Sequence, residues 1–226
     1  MPSQMKSFTQ AKARPLPVIL LADVSGSMQP EDKIGALNRS VKEMVETFSQ
    51  ESNVQVEIYV AIITFGGTAQ IHIPLQPASK VQWLDLAANG GTPMGEAISL
   101  ATKMIEDQQQ IPSRAYRPTI VLVSDGQPTD SWQEPLAQLD SSARGAKADR
   151  MALGIGSDAD EEMLKTFLKK TETPGKGGNR VFKANEARQI RTFFDFVTMS
   201  ITSRSRSSNP NQPPSLEVTD LENLDI

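Results

Sequence analysis

Apolar positions along this chain recur in two alternating periods, and each change of period predicts a change of element. Val18-Ile-Leu-Leu-Ala is a short continuous apolar run that ends at once in Asp23-Val-Ser25-Gly-Ser27-Met28. Such a run predicts a buried parallel strand that delivers a polar loop at its carboxyl end. Ile34, Leu37, Val41, Met44, Val45 and Phe48 then fall on one stripe of a helix over about 31–49, with Pro30, Glu31 and Asp32 suited to its first turn. Val54, Val56, Ile58, Val60 and Ile62 alternate, and so do Ile71, Ile73 and Leu75 beyond Gly66-Gly67. A link that short allows only a hairpin, which places residues 70–75 antiparallel at a sheet edge.

The second half repeats the alternation. Met94, Ala97, Ile98, Ala101, Met104 and Ile105 keep helical spacing behind Thr92-Pro93, with Thr92 at the N-cap and Pro93 in the first helical position. Thr119–Val123 is a fourth strand, and it too runs into a polar turn, Ser124-Asp125-Gly126-Gln127-Pro128-Thr129-Asp130. A helix near 134–146, a strand over 150–155, a helix near 160–170 and a short strand over 180–182 follow. Ala187, Ile190, Phe194, Val197 and Ile201 then share one face of a last helix. Strand and helix in turn argue for an α/β fold: a doubly wound, Rossmann-like, mostly parallel sheet with one antiparallel edge strand and helices on both faces.

The ends of the chain read differently. Residues 1–14 lack periodicity and are expected to be a flexible lead-in, which leaves 15–203 as one domain. Beyond 203, Ser, Arg, Asn and Pro predict a disordered linker and an acidic tail over 204–226. The net charge of −4 comes from residues 215–226, where Glu217, Asp220, Glu222 and Asp225 stand without a basic residue. The rest is balanced at 23 basic and 23 acidic side chains, so it offers no basic footprint for nucleic acid or an anionic membrane. No apolar run approaches the roughly 20 residues of a membrane span, and the apolar segment behind Lys6, Lys12 and Arg14 is too short for a signal sequence, so a cytoplasmic location is expected.

Chemistry is narrowed by what is missing. With no cysteine there is no disulfide, thiolate zinc site or cysteine nucleophile, and the single histidine, His72, falls on the edge strand. Hard oxygens are plentiful by contrast. Asp23, Ser25 and Ser27 alternate, so one loop can turn all three oxygens the same way. Thr92 opens a helix, and Asp125 ends the fourth strand. If the first and fourth strands are neighbours at the switch point of the sheet, these segments meet above one crevice. Two carboxylates with no basic residue placed beside them repel, and a small hard dication would cancel their charge. Ser124, Thr129 and Asp130 read as turn formers, with support of the metal-holding side chains as the alternative. Gly154-Ile-Gly156-Ser-Asp-Ala159 is a degenerate dinucleotide fingerprint whose acidic partner would be Glu172; a tight backbone turn is the plainer reading.

Asp23-x-Ser25-x-Ser27, Thr92 in Gly-Gly-Thr-Pro-Met-Gly and Asp125 in Ser-Asp-Gly-x-Pro-Thr-Asp resemble the metal-ion-dependent adhesion site of von Willebrand factor A (VWA) domains. The resemblance covers residues 15–203. It implies a magnesium ion, with manganese or calcium as substitutes, held by Asp23, Ser25, Ser27, Thr92 and Asp125. It further implies a position on that ion for a partner protein's Asp or Glu. The wording Asp-Val-Ser-Gly-Ser-Met and Thr-Pro-Met-Gly is most similar to bacterial TerY-type proteins, which implies a tellurite or chemical-stress setting with a kinase or phosphatase as partner. The expected function is therefore a non-enzymatic interaction module. Two alternatives are an adaptor for an AAA-type ATPase and a metal-dependent hydrolase or phosphoryl-transfer enzyme using Asp23. The last lacks a histidine base near the site.

Overall fold

The structure is a computed structural model that describes residues 12–168 and 181–212. Six strands form one sheet: β1 (Arg14–Asp23), β2 (Val56–Gly66), β3 (Thr68–Pro77), β4 (Thr119–Ser124), β5 (Asp149–Ile155) and β6 (Val181–Ala184). Five helices join them: α1 (Lys33–Gln50), α2 (Met94–Glu106), α3 (Gln133–Ser141), α4 (Glu161–Phe167) and α5 (Ala187–Arg206). The strand order is β3-β2-β1-β4-β5-β6, parallel except for the β2/β3 hairpin. The predicted α/β class, doubly wound sheet and antiparallel edge are all present.

The continuous apolar runs are explained by two buried faces. Along β1, Leu16, Val18, Leu20 and Ala22 enter the core shared with α1 and α5, and Ile19 and Leu21 enter the other, shared with α2, α3 and α4. Each of these six side chains is fully buried. Fully burying a Leu or Ile contributes about 1.5–3 kcal/mol, so the central strand alone is a large share of what holds the sheet. Pro15 and Pro17 are tolerated in a central strand because β1 pairs with β4 only from Val18 onward; before that it has β2 alone as a partner.

Several boundaries differ from those the sequence suggests. The helix near 134–146 is a nine-residue α3 followed by a separate turn over Gly145–Lys147. The α5 helix continues through Arg206, and residues up to Gln212 stay against the body, past the expected boundary at 203. There the Arg204 side chain, 2% exposed, donates to the carbonyls of Pro210 and Arg117, and the Asn211 side chain accepts from the Arg117 amide. A buried guanidinium that needs partners, hidden among the serines and arginines of a stretch with linker composition, is the reason. The lead-in before residue 12, the acidic tail from residue 213 and Glu172 lie outside the described residues.

Candidate metal centre

Because β1 and β4 are adjacent, Asp23 and Ser124-Asp125 end side by side at the point where the strand order reverses. The loop after Asp23 turns into a single helical turn, Gly26–Met28, and hydrogen bonds tie the oxygens together. Asp23 Oδ1 accepts from the Ser25 amide at 2.8 Å and Oδ2 from the Ser124 hydroxyl at 2.6 Å. Ser27 Oγ donates to Asp125 Oδ1 at 2.7 Å and lies 2.9 Å from Ser25 Oγ. A hydroxyl has one hydrogen, so the Ser25 hydroxyl is the donor of that second pair. Asp23, Ser25 and Asp125 are buried, and Ser27 is exposed, so the cluster opens to solvent on the Ser27 side.

Thr92 reaches the same place from a third segment. A methyl group added to Gly126 would lie 3.7 Å from Ser27 Oγ and 3.9 Å from Thr92 Oγ1, so both hydroxyls border one spot above β4. Thr92 is not the N-cap of α2, as its sequence position suggests; Pro93 is. The first amides of that helix are satisfied from elsewhere, since the Asp130 carboxylate accepts from Gly95 and Glu96 at 3.0 and 2.9 Å. Thr129 Oγ1 accepts from the Thr92 amide at 2.9 Å. Ser124, Thr129 and Asp130, expected as turn formers, therefore steady Asp23 and the Thr92 segment.

Glycine makes the convergence possible. Gly26 N donates to Gly90 O and Gly67 N to Gly91 O, both at 2.9 Å, which stacks three loops backbone to backbone. Gly90 has φ +75°, and a Cβ on it would stand 2.5 Å from Gly67 Cα; one on Gly66 would stand 2.4 Å from Val24 O. Gly90→Ala should therefore cost roughly 1–3 kcal/mol through overpacking and an unfavourable φ. Chemical denaturation checks this, and a loss under 0.5 kcal/mol would mean that the loops are not in contact as described.

One partner was not foreseen. Lys33, the first residue of α1, places Nζ 2.8 Å from Asp125 Oδ2 and 3.4 Å from the Ser27 carbonyl, so the carboxylate pair does have a basic residue beside it. This corrects the picture of two unrelieved charges. Asp23 is farther from relief: burial raises its carboxyl above the ordinary 3.8, hydrogen bonds from Ser124 and Ser25 pull it back, and the Asp125 charge raises it again. Among the described residues, no three His, Cys, Asp or Glu side chains stand close enough to hold a metal. The candidate set is two carboxylates and three hydroxyls, all hard oxygen donors and open on one side, which suits magnesium, manganese or calcium rather than a thiolate-seeking ion. His72 stays on β3, its Nε2 3.0 Å from the Leu84 carbonyl.

Residues 18–196 match the von Willebrand factor type A domain. The chain belongs to that family. Among curated proteins, an uncharacterized protein of Mycobacterium tuberculosis is 27% identical over 140 residues, 60% of this chain and 21% of that protein. The VWA chain thus spans about a fifth of the length of that relative. Solved structures share the fold at low identity. A von Willebrand factor type A protein from Catenulispora acidiphila has 20% identity and a TM-score of 0.60, over 83% of this chain and 42% of that one. The ArnB paralog VWA2 from Sulfolobus acidocaldarius has 18% identity and a TM-score of 0.58, over 86% and 46%. Proximal thread matrix protein 1 from the mussel byssus, with its MIDAS motif occupied by zinc, has 16% identity and a TM-score of 0.63, over 85% and 48%. No helix among the described residues is long and apolar enough to cross a membrane.

Proposed function

We propose that this VWA domain is a metal-dependent protein interaction module that captures a partner's carboxylate. The observation that carries the reading is the meeting of Asp23, Ser25, Ser27, Thr92 and Asp125 in one crevice, open to solvent at Ser27. These five residues would hold magnesium, and the zinc-occupied motif of the mussel protein, a structural neighbour, supports a divalent ion in this position of the fold. The ion would supply a Lewis-acidic point still able to take one more carboxylate, because two aspartates only neutralise it. Specificity would come from the surrounding loops, since a single solvent-exposed contact is weak.

A hydrolase built on Asp23 gains no support from the geometry. Each Asp23 oxygen accepts a hydrogen bond, one from a backbone amide and one from Ser124, and the chain's one histidine, His72, sits on β3 against the Leu84 carbonyl rather than beside Asp23 as a base. The resemblance to TerY-type proteins favours a cytoplasmic partner from a chemical-stress locus, such as a kinase or phosphatase. Immobilised wild type should retain its partner from extract with magnesium present and release it with EDTA. Asp23→Ala should retain nothing specific under either condition. Equal retention by the two proteins would remove the carboxylate-capture reading.

A further inference from the structure

We propose that Lys33 is an internal counter-cation of the site, which competes with the metal for Asp125 and is displaced into the neighbouring cleft when the metal binds. The inference rests on the metal reading above and goes beyond it, because Lys33 lies outside the segments that carry Asp23, Ser25, Ser27, Thr92 and Asp125.

Geometry is the first support. The Lys33 side chain is only 17% exposed and Asp125 is fully buried, so this 2.8 Å ion pair is shielded from water, unlike an ordinary surface contact. Its Nζ bonds Asp125 Oδ2, while Ser27 bonds Oδ1 of the same carboxylate, so both oxygens of Asp125 are spoken for. A dication drawing on Asp125 meets an ammonium already there. Two cations sharing one carboxylate in a partly buried site repel, and one must yield.

The second support is a place to go. Lys33 also lines a cleft of about 360 Å³ between the start of α1, the end of β5 and the turn into α5. Glu31, Asn185 and Glu186 line that cleft beside Lys33, so polar side chains able to accept from an ammonium border it, although the Glu186 side chain also caps the first turn of α5. Gly156, next to the lining residue Ile155, leaves room for the ammonium, since an added Cβ there would stand 3.6 Å from Lys33 Nζ. A longer side chain there would meet the ammonium.

The approach to α1 adds a third observation. Glu31 and Asp32, the two residues before Lys33, both hold left-handed backbone, φ 58° and 55°, without being glycine. Left-handed backbone is unfavourable for such residues and persists only where the surroundings over-determine it. Here the pair of left-handed residues leads the chain into α1 with Lys33 at its first position, beside Asp125. A regular helical entry would carry Lys33 elsewhere.

Manganese titration of wild type, Lys33→Met and Lys33→Arg tests the proposal. Removing an internal competitor raises the fraction of competent sites, so Lys33→Met should bind manganese about tenfold or more tightly than wild type, with Lys33→Arg close to wild type. A second readout uses unaltered protein: acylation of Lys33 by a water-soluble amine reagent, followed by peptide mass spectrometry, should speed up on adding saturating manganese and not in Asp23→Asn. Equal affinities for wild type and Lys33→Met, or a labelling rate that manganese leaves unchanged despite saturable binding, overturns the proposal alone. No saturable binding by wild type or either Lys33 variant overturns the metal reading and this inference with it.

Discussion

Arg204→Ala is expected to lose about 3–5 kcal/mol of stability, the range measured when one partner of a buried ion pair is removed. The guanidinium is among the largest fully buried side chains. It donates to Thr119 Oγ1 at 2.6 Å, to the Arg117 carbonyl at 2.8 Å and to the Pro210 carbonyl at 2.8 Å, and it lies 3.1 Å from Asp149 Oδ2. These contacts hold the amino ends of β4 and β5, the end of α5 and the segment up to Gln212 in one cluster. Alanine leaves Asp149 with only the longer 3.4 Å contact to Arg117 and opens a cavity. Burial already raises the Asp149 carboxyl, with Arg204 and then Arg117 pulling it down, so the loss of Arg204 raises it further. Urea denaturation measures the cost. Arg204→Met combined with Asp149→Asn should recover much of it, since the orphaned charge is then gone; a single-variant loss below 1 kcal/mol would show that the cluster is not a structural tie.

The opposite sign is expected at Asp23, where the residue that serves the metal works against the fold. Its folded carboxyl is raised above the ordinary 3.8, chiefly by burial. Between the ordinary and the raised value the folded chain binds more protons than the unfolded one, so this group's contribution falls as pH rises through that window. Above that window, ionising the buried carboxylate is therefore a net cost without metal. Asp23→Asn should raise the melting temperature of the metal-free protein at pH 7, and this gain should fade as pH falls through the raised value and vanish below about pH 3, where the wild-type carboxyl is protonated in both states. Asparagine keeps the bond to the Ser25 amide through Oδ1 and can donate to Ser124 Oγ. Magnesium at about 100 times its dissociation constant should then add roughly 2.7 kcal/mol to wild type and nothing to the variant. Calorimetry with and without magnesium separates the effects. A metal-free variant less stable than wild type at pH 7, or equal magnesium shifts in the two proteins, would refute this account.

The two predictions mark the two ends of the sheet. At the carboxyl ends of β1 and β4 the chain accepts a buried carboxylate, a lysine forced next to its partner and left-handed backbone before α1. At the amino ends a comparable burial of charge is matched by four partners around Arg204. Among the described residues, left-handed backbone outside glycine occurs only at the candidate-site end, which is where a ligand site on a stable scaffold would hold its strain.

Much of this was legible in the sequence. Continuous apolar runs at 18–22 and 119–123 meant strands buried on both faces, and an aspartate at the end of each meant polar loops at one edge. The Gly66-Gly67 link could only be a hairpin. Those readings succeed because a period of two or 3.6 and the needs of a turn are local properties, settled within a few residues. The resemblance then supplied Asp23, Ser25, Ser27, Thr92 and Asp125 together, and the strand order brings them into one crevice.

What the tertiary structure alone decided are the relations between residues far apart in the chain. Lys33 reaches Asp125 across 92 positions and Ser124 reaches Asp23 across 101. Asp130 relieves Thr92 of a capping role from 34 and 35 positions beyond the amides it holds. Arg204, in a stretch whose composition says linker, is drawn inward by Thr119, 85 positions away. Composition and periodicity record which face of an element is apolar, but a buried charge is placed by whichever partner the packed sheet brings within hydrogen-bond reach, and that depends on strand order rather than on neighbours in sequence.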